Sequence, residues 1–198
     1  MYYPWKTTEQ KVNKASSNII SVKRKNHKKK NLGMILEKDI NNSNSFYQQE
    51  KKALIFKNAV PIQIVKVEYP KRQKAKIVEA YYRLNSLPDY HGIYKNRYLS
   101  FDVKQTENTK YFSLNNISAH QINYLKQIQD FGGISFLIIY FKKLNEYFYL
   151  PIDFLISYYV DESNKKNIPY YIFKKYLWNI PFGYRPRIDF LQIVDKFI

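Results

Sequence analysis

PDYHGIYKNRYLSFDVK, Pro88–Lys104, is the stretch on which the reading of this chain turns. Its turn-forming and apolar residues alternate as a hairpin does: a first strand near Gly92–Tyr94, a turn at Lys95-Asn96-Arg97 and a second strand at Tyr98–Lys104. Carboxylates on the two arms of one hairpin, Asp89 and Asp102, can converge on a hard divalent cation, which prefers oxygen ligands. Strand side chains alternate with period two, so Asp102 and Lys104 share a face and the lysine sits beside such a cation. There it can orient or help deprotonate an attacking water, or neutralise charge developing on a phosphate. The plainer alternatives are a turn residue after proline for Asp89 and an exposed strand pair for Asp102 and Lys104. On the motif alone the two readings balance.

The flanking chain supplies context. Upstream, Met34, Ile35, Ile40 and Phe46–Tyr47 predict an amphipathic helix that carries Glu37. Ala53–Phe56 and Pro61–Val67 read as strands, the second with Ile62, Ile64, Val65 and Val67 set against Gln63 and Lys66. Tyr69-Pro70-Lys71-Arg72 is a turn with two cations, and Ile77–Tyr82 reads equally as strand or helix. Downstream, Ile117, Ile122, Leu125 and Ile128 have helical spacing on a segment that carries Gln121, and Gly132-Gly133 stops it. Ile134–Phe141 and Tyr147–Leu150 read as buried strands, Pro151–Tyr159 as a helix, and Phe182–Arg187 as a basic loop before a last apolar segment. Helices alternating with strands define a mixed α/β domain.

Composition narrows the partners. With 198 residues the chain has one domain's length. Lys+Arg outnumber Asp+Glu 33 to 16, a net charge of +17, which favours a polyanion through counterion release. A lysine-rich composition inherited from an AT-rich genome is the competing explanation, and a membrane surface the lesser one. The chain has no cysteine, so disulfides and cysteine-bearing zinc sites are excluded. His27, His91 and His120 make no zinc pattern, and His91, beside Asp89, is the one histidine that proximity nominates as a general base. MYYPWKTTEQ has no signal-peptide core, and Ile134–Phe141 falls far short of the roughly 20 apolar residues that span a bilayer. A cytoplasmic protein without a membrane span is expected. The cluster Lys23–Lys30 marks residues 1–31 as a flexible basic arm.

Pro88-Asp89 followed by Asp102-Val103-Lys104 resembles the PD-(D/E)XK nuclease arrangement. The resemblance narrows to one family. Gly33-Met34-x-Leu36-Glu37 with Ile40, Asn44 and Tyr47 is similar to the opening helix of the RecU resolvases, and PIQIVKVEYPKR (Pro61–Arg72) to their stalk. Glu79–Arg83, Ser86-x-x-Asp89-Tyr90-x-Gly92, Tyr98-x-x-Phe101-Asp102-x-Lys104-x-Thr106, Leu114-x-Asn116, His120-Gln121, Gly132–Ile134 and Pro186–Phe190 follow collinearly. The resemblance implies a restriction-endonuclease-like α/β fold, a mixed central sheet flanked by helices. It fills a single nuclease domain over 32–198, with a protruding β stalk at about 57–76. It also implies a homodimer that cuts two opposed strands of a four-way DNA junction with Mg²⁺, Mn²⁺ being the alternative ion, and the strand-exchange recombinase as a further partner. Asp89 and Asp102 would be the metal ligands and Lys104 the catalytic lysine. Glu37 would be an accessory to the metal shell, Gln121 a further candidate beside it, and Lys57 and Arg72 the stalk positions that meet DNA. The chain departs from the family pattern in several places. Asp102 stands for the usual glutamate, Leu87 for a threonine, Ser100 for an acidic residue, Gln105 for a glutamate, and Lys57–Pro61 for Lys-Lys-Pro-Thr-Pro. The competing functions are another PD-(D/E)XK DNA nuclease that cuts linear duplex and a catalytically weakened junction-binding protein.

Overall fold

The computed structural model describes residues 34–71, 74–83, 87–161 and 166–198. Helix α1 (Met34–Gln49) leads into β1 (Ala53–Lys57), the hairpin β2 (Ile62–Glu68) and β3 (Lys76–Tyr82), and then β4 (Tyr90–Tyr94) and β5 (Arg97–Thr106). Next come β6 (Tyr111–Ser113), α2 (Ala119–Asp130), β7 (Ile134–Phe141), β8 (Glu146–Pro151) and α3 (Ile152–Asp161). The chain closes with β9 (Asn167–Pro169), α4 (Tyr170–Tyr176), β10 (Trp178–Asn179) and α5 (Leu191–Val194).

Six strands form one sheet in the order β1-β4-β5-β7-β8-β10. All pairings are antiparallel except β5 with β7, which run parallel and are therefore joined by a crossover through α2. The apolar run ISFLIIYF becomes β7, buried along its whole length between β5 and β8. The sheet divides two cores. On one face α1 and the C-terminal Ile188, Phe190, Leu191 and Val194 pack over Phe101, Val103 and Phe136. On the other, Leu125, Phe154, Leu155 and Phe173 cover Leu137, Ile139 and Phe148. This is the mixed α/β sheet flanked by helices that the resemblance implies.

Local sequence explains how the hairpin at the site closes. Lys95 and Asn96 both take positive φ (45° and 60°), as a two-residue turn matched to strand twist requires. Arg97, read as part of the turn, is instead the first residue of β5, opposite Tyr94. Gly92 lets β1 approach β4: a Cβ there would lie 2.2 Å from the Leu54 carbonyl oxygen. At the end of α2, Gly132 takes φ +84°, the left-handed conformation that stops the helix.

Ile77–Tyr82 resolves as a strand, β3, paired with β2 through two register shifts between Ile64 and Val67. Among the described residues this hairpin pairs with no other strand, and it is exposed along both faces except at Val67. It is the protruding stalk, and it runs from Ile62 to Tyr82, whereas the expected span of about 57–76 ends where β3 begins. Lys57 belongs to the last position of β1 in the central sheet. The basic arm expected over residues 1–31 and the cation Arg72 lie outside the described residues.

Candidate active site

Asp89 lies one residue before β4, and Asp102 and Lys104 lie on β5. Phe101 and Val103 face the α1 core, so alternation turns Asp102 and Lys104 to the opposite face, beside Leu137 and Ile139 of β7. The hairpin is held in place from the core side. Tyr90 stacks on Phe101 and Phe101 on Phe136, with ring centroids 4.9 and 4.8 Å apart. The Tyr90 hydroxyl donates to Asn41 Oδ1 at 3.0 Å, and the buried Ser100 hydroxyl donates to the Tyr90 carbonyl at 3.0 Å.

Asp89 and Asp102 are bound to each other's strands. The Asp89 N–H donates to Asp102 Oδ1 at 2.8 Å, and the Val103 N–H donates to Asp89 Oδ2 at 3.0 Å. Asp102 is fully buried, and its Oδ2 accepts no hydrogen bond. Lys104 Nζ stands 3.3 Å from that oxygen, an ion pair without the alignment of a hydrogen bond. Burial and then the neighbouring Asp102 charge push the Asp89 carboxyl up to about 6, against the pull of Lys104 and the Val103 N–H. Two carboxylates therefore share one desolvated corner with a single lysine, and a buried oxygen there has no donor. Such a corner favours a cation, and its donors are the hard oxygens that Mg²⁺ or Mn²⁺ takes. Among the described residues no group of three or more His, Cys, Asp or Glu gathers. The rest of a six-oxygen shell would thus fall to main-chain carbonyls, water and substrate oxygens.

The remaining candidates are placed differently. Glu37, on α1, pairs with Lys57 Nζ at 2.5 Å, and both side chains are about 40% exposed. Its main-chain carbonyl lies 3.4 Å from the Tyr90 hydroxyl, which puts Glu37 near the site while its carboxylate is engaged by Lys57. Gln121 caps its own helix: Oε1 accepts from the Ser118 N–H at 3.2 Å, and the Ser118 hydroxyl accepts from the Gln121 N–H. To reach a metal it would have to give up that capping box. His91 lies on β4 between the rings of Phe56 and Tyr98, with its Nδ1 buried and unpartnered, and His120 is exposed in the first turn of α2.

Sequence reasoning missed Asn58, which appears there only within Lys57–Pro61, a departure from the family's stalk pattern. Its main-chain N–H donates to the Asp89 carbonyl at 2.8 Å and its Nδ2 to the Pro88 carbonyl at 2.7 Å. No periodicity marks such a contact, because its partners are carbonyls 30 residues away. Among the other departures, Ser100 satisfies its buried site, Leu87 is 51% exposed, and the Gln105 Oε1 is buried without a partner.

Fold and site together define a class: a mixed α/β protein whose central hairpin carries a carboxylate pair and a lysine, the arrangement that the sequence's resemblance to the PD-(D/E)XK nucleases implies. A family model described as "Recombination protein U" matches residues 31–196. Curated relatives named "Holliday junction resolvase RecU" are 42% identical in Geobacillus thermodenitrificans over 84% of each chain, and 41% in Streptococcus suis over 98% of this chain and 92% of that one. The Staphylococcus epidermidis relative of the same name is 45% identical over 84% of this chain and 81% of its own. The chain belongs to the RecU family. A solved Holliday junction resolvase, Hjc of Archaeoglobus fulgidus, overlays with a TM-score of 0.42 at 16% identity, covering 72% of this chain and 92% of that one.

Proposed function

We propose that this protein is an Mg²⁺-dependent endonuclease that resolves four-way DNA junctions, with Mn²⁺ as the alternative ion. The observation that carries the proposal is the buried Asp89–Asp102 pair with Lys104 beside it, in a chain whose relatives bear the name Holliday junction resolvase. Asp89 and Asp102 would hold the ion, and bound there it would polarise a water and a phosphate oxygen. Lys104 Nζ, fixed beside Asp102, offers a positive charge to the phosphate as it gains negative charge, and a donor that orients the attacking water. Glu37 holds the end of Lys57, so its contribution runs through the cation at the stalk's root. Gln121 enters this scheme as a cap for α2, unless substrate draws it away from Ser118.

Lys57 and Arg72 are assigned to the DNA backbone at the junction, and the surplus of 33 cations over 16 acidic residues supports a polyanionic substrate. Two opposed strands must be cut, so the working unit is a homodimer with one site per subunit. The substrate places the protein in the cytoplasm; among the described residues no helix is long and apolar enough to cross a membrane. Association with the strand-exchange recombinase is carried over from the family alone.

The test is cleavage of an end-labelled four-way junction beside a matched linear duplex, in Mg²⁺, Mn²⁺ or EDTA. Paired nicks confined to the junction, and lost in EDTA, are expected. Equal cutting of the duplex would make the protein a general nuclease. Tight junction binding without cutting in either metal would make it a junction-binding protein with a weakened site.

A further inference from the structure

The direction of Asp89 depends on its own main chain and that of Pro88, and both are held from outside the hairpin. Pro88 is buried, so its carbonyl needs a hydrogen-bond donor. Asn58 Nδ2 supplies it at 2.7 Å, and the Asn58 N–H takes the next carbonyl, that of Asp89, at 2.8 Å. Both peptide planes around Asp89 are thereby fixed. The same residue then donates its N–H to Asp102 Oδ1 and accepts from Val103 through Oδ2. Four hydrogen bonds thus run without a gap from Asn58 through Pro88 and Asp89 to β5. Asn58 is half-buried and follows Lys57 directly, at the point where the chain leaves the central sheet for the stalk.

We infer that Asn58 is a positioning residue for the metal site, clamping Pro88-Asp89 to the root of the stalk so that the Asp89 carboxylate is held in register with Asp102. It touches neither ion nor substrate and acts through Asp89. The role is particular to this chain, since the residue stands where the family pattern has a lysine, whose ammonium lacks the planar amide that fits between β1 and the Pro88 carbonyl. The inference rests on the metal-site reading above.

The experiment is an Mg²⁺ titration of the full chain, followed both by melting temperature without DNA and by single-turnover junction cleavage. It compares wild type with Asn58→Leu, which keeps the branched shape and loses the donor, and with Asn58→Ser, which is smaller and guards against misfolding of the first. Losing a residue that orients a ligand costs about tenfold or more in metal affinity. The Mg²⁺ concentration for half-maximal stabilisation and for half-maximal cleavage should therefore both rise about tenfold in the variants. The rate should recover towards wild type at high Mg²⁺, with junction affinity unchanged. A lower melting temperature in EDTA with an unmoved Mg²⁺ midpoint would reduce Asn58 to a structural residue and overturn the inference. A wild type whose melting temperature and cleavage ignore Mg²⁺ would sink the metal-site reading itself, a result distinct from the first.

Discussion

Asp102 has no access to solvent, and one of its oxygens has only Lys104, at 3.3 Å, for company. Removing either partner should move stability in opposite directions. Asp102→Asn keeps the shape and an acceptor for the Asp89 N–H and relieves the carboxylate pair, so the metal-free protein should melt higher, by about 1 kcal/mol of added stability. Lys104→Met leaves Asp102 buried beside Asp89 without its cation and should destabilise by about 1–3 kcal/mol, a figure reduced because Lys104 is 19% exposed. Chemical denaturation in EDTA measures both, and a loss of stability in Asp102→Asn would mean that the pair is not strained. At this scale Asp89, Asp102 and Lys104 were legible in the sequence, because strand alternation fixes the shared face of residues two apart. Asn58 and the Glu37–Lys57 pair were not, since each is decided by which distant carbonyl or charge a polar side chain meets after folding. Gln121, by contrast, follows Ser118 at capping-box spacing and was read as a site neighbour instead.

Elements divide by what buries them. The strand β7 was readable because eight apolar residues in a row have one use in a mixed sheet, the buried centre. β3 was not, since Lys76–Tyr82 is exposed on both faces and no inside-outside pattern constrains it. The short β6, β9, β10 and α4 escaped for a different reason: at two to seven residues they are too brief to show a period. Two predictions belong here. Gly92→Ala would drive a Cβ onto the Leu54 carbonyl oxygen, main chain that cannot swing aside, and should destabilise by about 3 kcal/mol in a denaturation experiment. An unchanged midpoint would mean that β1 is free to move. Replacing Lys57, at the end of β1, and Arg72 by alanine should weaken binding to a four-way junction more than binding to duplex, read by competition at fixed salt. An unchanged preference would detach the stalk's root from junction recognition.

The whole molecule joins a stable two-core sheet to a hairpin that buries almost nothing. A two-stranded ribbon alone is marginal in water, so the stalk draws its order from its root and from what it meets. That root is where Lys57, Asn58, Pro88 and Asp89 come together, so the proposed recognition element and the proposed metal ligands meet at one end of β1. Charge acts over the same scale: with +17 on 198 residues, the proposed binding would be shared among many cations, while the proposed chemistry would rest on Asp89, Asp102 and Lys104. Binding and cutting should therefore separate. The most direct test is single-turnover cleavage of an end-labelled four-way junction in Mg²⁺ by wild type and Asp89→Ala, with affinity measured in parallel. Equal junction affinity within about twofold is expected, with a cleavage rate that falls by more than about 10²-fold in the variant. Undiminished nicking by Asp89→Ala would contradict that expectation and place the catalytic centre elsewhere.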